Sequence, residues 1–328
     1  MLSNVFRREV KAIHNDTQSG AAKIADKCLS TLKRECFRLN TRLDKYSLKT
    51  AIELLLDTHP MASIENALLP VFLKLIQLIE PDTIRNGDPK AAIELIFATR
   101  REQMRIGEIN TIEKLAKVLQ DKKSILTFSH SSTVTNALLQ LAEKGFRDKE
   151  IFILESRPLK EGERIANILA NVEFKNIHLG IDFAIDEFSQ IAEVAVLGAD
   201  VIHSNGQVLN KIGSATIAKL FHMQSKEVII AASPSKICLR SIIKKNHDWT
   251  QKIPHRNSKE ITRDISPIVK IWNKYYEIIQ PEYISSLIMD CYEIFFPISG
   301  HISKFLEKDP LIGEIKAYEK IWEEFNFR

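Results

Sequence analysis

Apolar residues recur at helical spacing from the start of the chain to about position 120, and in short strand-like runs from Ser124 onward. In SNVFRREVKAIH, Val5, Phe6, Val10 and Ile13 share one helical face, and Ser3 ahead of them is an N-cap residue. SGAAKIADKCLSTLKRECFRL continues the pattern. SLKTAIELLLD predicts a helix from Ser47 that ends before Pro60, because the residue preceding a proline avoids the helical region. A longer helix is predicted over 90–119, which contains no proline and only Gly107. Residues 1–120 are therefore expected to form a helical domain.

After Ser124 the texture changes. ILTF, EIFILE, NIHLGI, VAVLGA and EVIIAA are short β-rich runs, and helical patterns separate them at 132–145, 160–172, 183–192 and 211–223. This alternation predicts an α/β domain over 121–328, a parallel sheet with helices on both faces. KKNHDWTQKIPHRNSKE reads as a polar loop, and 259–328 as a mostly helical C-terminal extension rich in aromatics. In such sheets ligands sit beyond the carboxyl ends of the strands. Those turns are Ser129–Thr133, Glu155–Gly162, Asp182, Gly198–Lys211 and Ala232–Lys236, and they hold the polar clusters of the domain.

Composition narrows the partners. The 328 residues are 45% hydrophobic and 27% charged, as in a soluble globular protein. The net charge of +4, from 46 basic and 42 acidic residues, gives no ground for nucleic-acid binding. No run of ~18 apolar residues predicts a membrane span, and the charged N-terminus does not read as a signal peptide. Cys28, Cys36, Cys238 and Cys291 lack zinc-ligand spacing and read as reduced thiols of a cytoplasmic protein. Neither a metal nor a cofactor is expected.

Candidate chemistry concentrates in VAVLGADVIHSNGQVLNKIGSATIAKLF, residues 194–221. The buried run delivers Asp200 to the rim of the sheet, and Asn205-Gly206 supplies a turn. Asn210 and Lys211 are expected to open the next helix, where free N–H groups and the helix dipole favour an anion such as phosphate. Lys236, in PSK after the following strand, is expected beside them. The plainer alternative leaves both lysines solvated and Asp200 capping a turn.

GADVIHSNGQVLNKIGSATIA, ESRPLKEG, the later PSK, NDTQSGAAKIA and NKYYEIIQPEYISSLI together resemble the translation initiation factor 2B alpha/beta/delta family, over about residues 14–290. That family includes isomerases of methylthioribose 1-phosphate and ribose 1,5-bisphosphate. The resemblance implies an N-terminal helical domain, a Rossmann-like C-terminal domain, and a homodimer or family hetero-oligomer. It implies catalysis by Asp200 and a cysteine, whose place in ILTFSHSSTV is taken by Ser129. It implies ligand contacts from Ser131, Ser132 and Thr133 in that loop, and from Asn210, Lys211 and Lys236. Ser19 beside Gly20, and His59, occupy positions where the isomerases carry arginines that grip phosphate bidentately. Arg157 either holds a phosphate or fixes its loop through Glu155 or Asp182. A serine is a far weaker acid than a thiol and needs an adjacent base. His130, its sequence neighbour, points away on an extended segment. Two functions are expected from the resemblance. The first is a regulatory protein that binds a phosphorylated small molecule and acts in translation initiation through initiation factor 2. The alternative is an aldose–ketose isomerase on a sugar 1-phosphate.

Overall fold

The computed structural model describes residues 2–295 apart from 17–18, 40–42, 60, 80–87, 240, 242–254, 263, 267 and 291. Within this range Ser3 begins the first helix as its position predicts. Its hydroxyl accepts from Phe6 N at 3.0 Å and caps α1 (Asn4–His14). Helices α2 (Ala21–Leu39), α3 (Lys45–Leu56), α4 (Ala62–Ile79) and α5 (Pro89–Val118) follow. α3 starts two residues before Ser47 because the Asp44 carboxylate, a strong cap, accepts from Ser47 N at 2.8 Å. Pro60 lies outside the described residues. α4 is apolar on nearly every side, with Ile64, Ala67, Leu68, Phe72 and Leu75 buried. It has the length and hydropathy of a membrane span, yet 72% of it is buried, which identifies a core helix.

The described residues divide into two compact units, 2–106 with 235–241, and 107–234 with 255–295. In the first, α1–α4 and the start of α5 enclose one apolar core that also takes in Leu239. Asn66 fastens the 235–241 segment to it, donating to Ile237 O at 2.6 Å, while Arg100 donates to Asn66 O.

Glu35 sits in the first unit almost wholly buried, accepting from Ser3 N, Ser3 Oγ and the Arg38 guanidinium. Burial pushes its carboxyl upward, but Arg38 and Ser3 together outweigh it and leave the group below its ordinary value of 4.5. A lowered folded-state value means the contribution is present above the unfolded value and is lost as pH falls through the folded one. Glu35→Gln is therefore expected to cost about 1–3 kcal/mol at pH 7. The loss should shrink in urea titrations repeated toward pH 3. A loss of equal size at both pH values would contradict this.

The second unit is built on a seven-stranded sheet in the order β10-β9-β7-β4-β1-β2-β3. The predicted runs appear as β1 (Ser124–Phe128), β2 (Glu150–Leu154), β3 (Asn176–Gly180), β4 (Val194–Leu197) and β7 (Glu227–Ala231). All five pair in parallel. Helices α6 (Ser132–Glu143), α7 (Glu161–Ala170), α8 (Ile185–Ile191) and α9 (Ser214–Met223) connect them. No strand occurs among the described residues before Ser124. Strand order reverses between β1 and β4, which opens a crevice beyond their carboxyl ends.

Two expectations are corrected. Lys211 does not open a helix. Asn210 and Lys211 end strand β6 (Val208–Lys211), which pairs with β5 (Val201–Ile202) and with β8 (Tyr276–Ile279) in a small antiparallel sheet. Gly213, at φ 107°, turns the chain into α9. The stretch after 259 is not mostly helical where it is described. It carries β8, β9 (Ser286–Met289) and β10 (Tyr292–Phe295), because SLIM is a fully buried apolar run that extends the sheet in parallel beside β7. β10 returns antiparallel to β9. Residues 296–328 lie outside the described residues.

Candidate functional site

The crevice between β1 and β4 is built from two loops in near contact. A Cβ added to Gly198, just after β4, would meet Ser131 Oγ at 2.6 Å, so only glycine lets the loops close. Ser129 directly follows β1 and stands at φ 58°, Ser156 follows β2 at φ 64°, and both are left-handed positions that side chains rarely adopt. Strained residues of this kind cluster where a site is held in a fixed geometry. Ser156 Oγ accepts from Ser129 N at 2.8 Å and joins the two loops. The loop after β2 is held in turn by Asp182, which accepts from Ser156 N and Arg157 N, each at 2.7 Å. Arg157 is thus tied to Asp182 through its backbone, while its guanidinium approaches Ile261 O at 3.4 Å.

A charged array lies beside Ser129. Its hydroxyl donates to Glu161 Oε2 at 2.7 Å, and Lys211 Nζ stands 3.2 Å from the same oxygen. The Lys211 side chain is 4% exposed and that of Glu161 28%. Lys211 also lies over the Tyr275 ring, 4.5 Å from its centroid, with the Arg256 guanidinium 5.1 Å from that centroid. Burial, followed by the Glu260 carboxylate, pushes the Tyr275 hydroxyl above its ordinary value. Burial, followed by Asp200, does the same for Tyr276 and places that phenol in the field of Asp200. His130 is lowered, first by burial and then by Arg164, so its imidazole is neutral at pH 7.

The start of α9 is occupied by a carboxylate. Glu277 Oε1, from β8, accepts from Gly213 N and Ala215 N, both at 2.7 Å. Asn210 is buried and donates to Ser214 Oγ at 3.0 Å. Glu277→Ala is expected to lower stability by about 1–2 kcal/mol, as loss of a helix cap does. An unchanged urea midpoint would contradict that role.

The remaining predicted residues divide by place. Ser131 caps α6, accepting from Val134 N at 3.3 Å, Ser132 Oγ approaches Glu108 at 3.4 Å, and Thr133 is buried. Asp200 starts the β5–β6 hairpin, its N–H donating to Leu209 O at 2.9 Å. Lys236 ends the turn Pro234–Lys236 and belongs to the first unit, as do Ser19, Gly20 and His59. Ser19 N donates to Asp16 Oδ1 at 2.9 Å, and His59 Nε2 lies 3.1 Å from Asp16 O. Lys27 forms an ion pair with Asp16 and donates to Ser19 Oγ at 3.1 Å. Asp16 therefore gathers Ser19 and His59. Sequence reasoning missed Glu161, Tyr275, Tyr276 and Glu277 as members of the second unit's cluster.

A model of the initiation factor 2 subunit family matches residues 17–291. The chain belongs to that family. It is 28% identical over 291 residues to the ribose 1,5-bisphosphate isomerase of Thermococcus kodakarensis, covering 85% of this chain and 87% of that protein. Its fold is that of the translation initiation factor eIF-2B of Pyrococcus horikoshii OT3, with a TM-score of 0.74 at 20% identity over 90% of this chain and 98% of the other. The 5-methylthioribose 1-phosphate isomerase of the same organism superposes with a TM-score of 0.69 at 21% identity, over 93% and 88%. This family member carries Ser129, Asp200 and Lys211 in one unit, with Glu161 bridging the first and the last.

Proposed function

We propose that this protein is a cytoplasmic isomerase that converts a phosphorylated aldose, a sugar 1-phosphate of the ribose 1,5-bisphosphate or methylthioribose 1-phosphate kind, into its ketose. The observation that carries the reading is the pairing of β1 and β4. It brings the Ser129 loop and the Asp200 loop to one crevice, with Gly198 closing on Ser131. The likeness to a named ribose 1,5-bisphosphate isomerase over most of both chains supports the substrate class. The reaction is internally balanced. The ring C–O bond opens and the ring oxygen takes a proton, C2 loses one, C1 gains one, and the C2 hydroxyl becomes the carbonyl. Asp200 moves protons among the oxygens, and a group on the Ser129 loop moves the proton between carbons. No redox partner is required.

A second reading, regulatory binding without turnover in translation initiation, is favoured by two observations. A serine replaces the thiol, and Glu161 and Glu277 already satisfy Lys211 and the α9 amides. Incubation with each of the two sugars separates the readings. Ketose formation that depends on Asp200, lost in Asp200→Asn, supports the isomerase. Saturable binding with no ketose supports the regulator and sinks the isomerase.

A further inference from the structure

We propose that Glu161 is the base that activates Ser129, so that the Ser129–Glu161 pair does the work of the missing thiol. The inference rests on the isomerase reading. A serine hydroxyl cannot take a proton from carbon unless its own proton leaves at the same time. Its sequence neighbour His130 does not supply the acceptor. The structure supplies one from 32 positions away, since Ser129 Oγ donates to Glu161 Oε2 at 2.7 Å. That distance suits a charge-assisted O–H···O bond from a hydroxyl to a carboxylate.

Three features hold the acceptor in position. Glu161 is the first residue of α7, whose free N–H groups favour a carboxylate there. Gly162 packs this turn against the end of β2, where a Cβ would stand 2.0 Å from Leu154 O. Lys211 Nζ, buried over Tyr275, anchors the same Oε2 at 3.2 Å. The hydroxyl meanwhile is fixed by the left-handed backbone of Ser129 and by the bond from its N–H to Ser156 Oγ. Donor and acceptor both come from rigid turns at the carboxyl edges of neighbouring strands.

The step conserves every proton. As the C2–H bond breaks, its proton passes to Ser129 Oγ while the Ser129 proton passes to Glu161 Oε2, and the C2 electron pair forms the C1=C2 double bond as the bond from C1 to the ring oxygen breaks and that oxygen takes a proton from Asp200. In the second half the C2 hydroxyl gives its proton back to Asp200 and becomes the carbonyl, the C1=C2 pair takes a proton from Ser129 at C1, and Glu161 returns its proton to Ser129.

The test uses the full chain and ribose 1,5-bisphosphate. Parent, Glu161→Gln, Ser129→Ala and the double variant Glu161→Gln/Ser129→Cys are compared for kcat and for Kd by calorimetry. Glu161→Gln and Ser129→Ala are each expected to lower kcat by about 10²–10⁴, the usual contribution of a general base. Kd should not weaken in Glu161→Gln. The double variant should recover part of the rate, because a thiolate needs no separate base. Glu161→Gln turning over within threefold of the parent overturns the inference and leaves the isomerase reading standing. A parent that makes no ketose overturns both. A rate loss in Glu161→Gln matched by weaker binding, with no rescue by the thiol, assigns Glu161 a structural role and overturns the inference.

Discussion

Gly162→Ala is expected to lose at least about 4 kcal/mol, enough to unfold a domain of ordinary stability. The alanine Cβ would stand 2.0 Å from Leu154 O, 2.9 Å from Leu154 C and 3.1 Å from Glu155 Cα. All three are backbone atoms of the β2 end, so no side chain can swing aside. Relief requires α7 to retreat from the sheet, which would pull Glu161 from Ser129 and Lys211 and uncover Ile165 and Leu169. Gly20→Ala is the control, because nothing lies within 4 Å of an added Cβ there. Urea unfolding of the two variants should give a midpoint far below the parent for the first and within error for the second. Equal midpoints would show that α7 can move away from β2 at little cost.

Lys211→Ala is expected to act on stability and on binding together. Removing the ammonium deprives Glu161 of its cation and empties the space over the Tyr275 ring. Breaking a buried ion pair from one side costs about 3–5 kcal/mol, and the partial exposure of Glu161 puts this case at about 3 or below. Loss of a charged hydrogen bond to phosphate costs about 1.5–3 kcal/mol, a tenfold to hundredfold weaker Kd for ribose 1,5-bisphosphate by calorimetry. Lys211→Ala combined with Glu161→Gln should regain stability, since no carboxylate is then left unpaired, while binding stays weak. If the double variant binds as the parent does, Lys211 holds Glu161 and does not hold the ligand.

The five parallel strands were legible because each is a short buried run between turn residues, a pattern that depends on nothing distant. Ser3 was legible as a cap for the same reason. The β5–β6–β8 sheet was not, since VLNK is four residues long and its partner YEII lies more than sixty positions away. The helical reading of 211–213 failed at Gly213, whose positive φ separates strand from helix. Asp200, Ser129 and Lys211 could be named from local chemistry and resemblance. Glu161 could not be given its role, although it stands in ESRPLKEG, residues 155–162. Its carboxylate reaches Ser129 only because Gly162 lets α7 press against Leu154 and because β1 and β2 run side by side. Glu277 was hidden likewise, as it meets the α9 amides only through the pairing of β8 with β6.

Proton NMR of ribose 1,5-bisphosphate incubated with the unmodified protein in deuterated water tests the isomerase reading most directly. Proton transfer through exchangeable oxygen groups predicts a ketose, deuterated at C1 to the extent that the relay exchanges with solvent, formed at a rate proportional to enzyme and absent with Asp200→Asn. A substrate spectrum unchanged over hours, alongside calorimetric binding of the same sugar, would contradict the isomerase and leave a phosphate-binding member of the family.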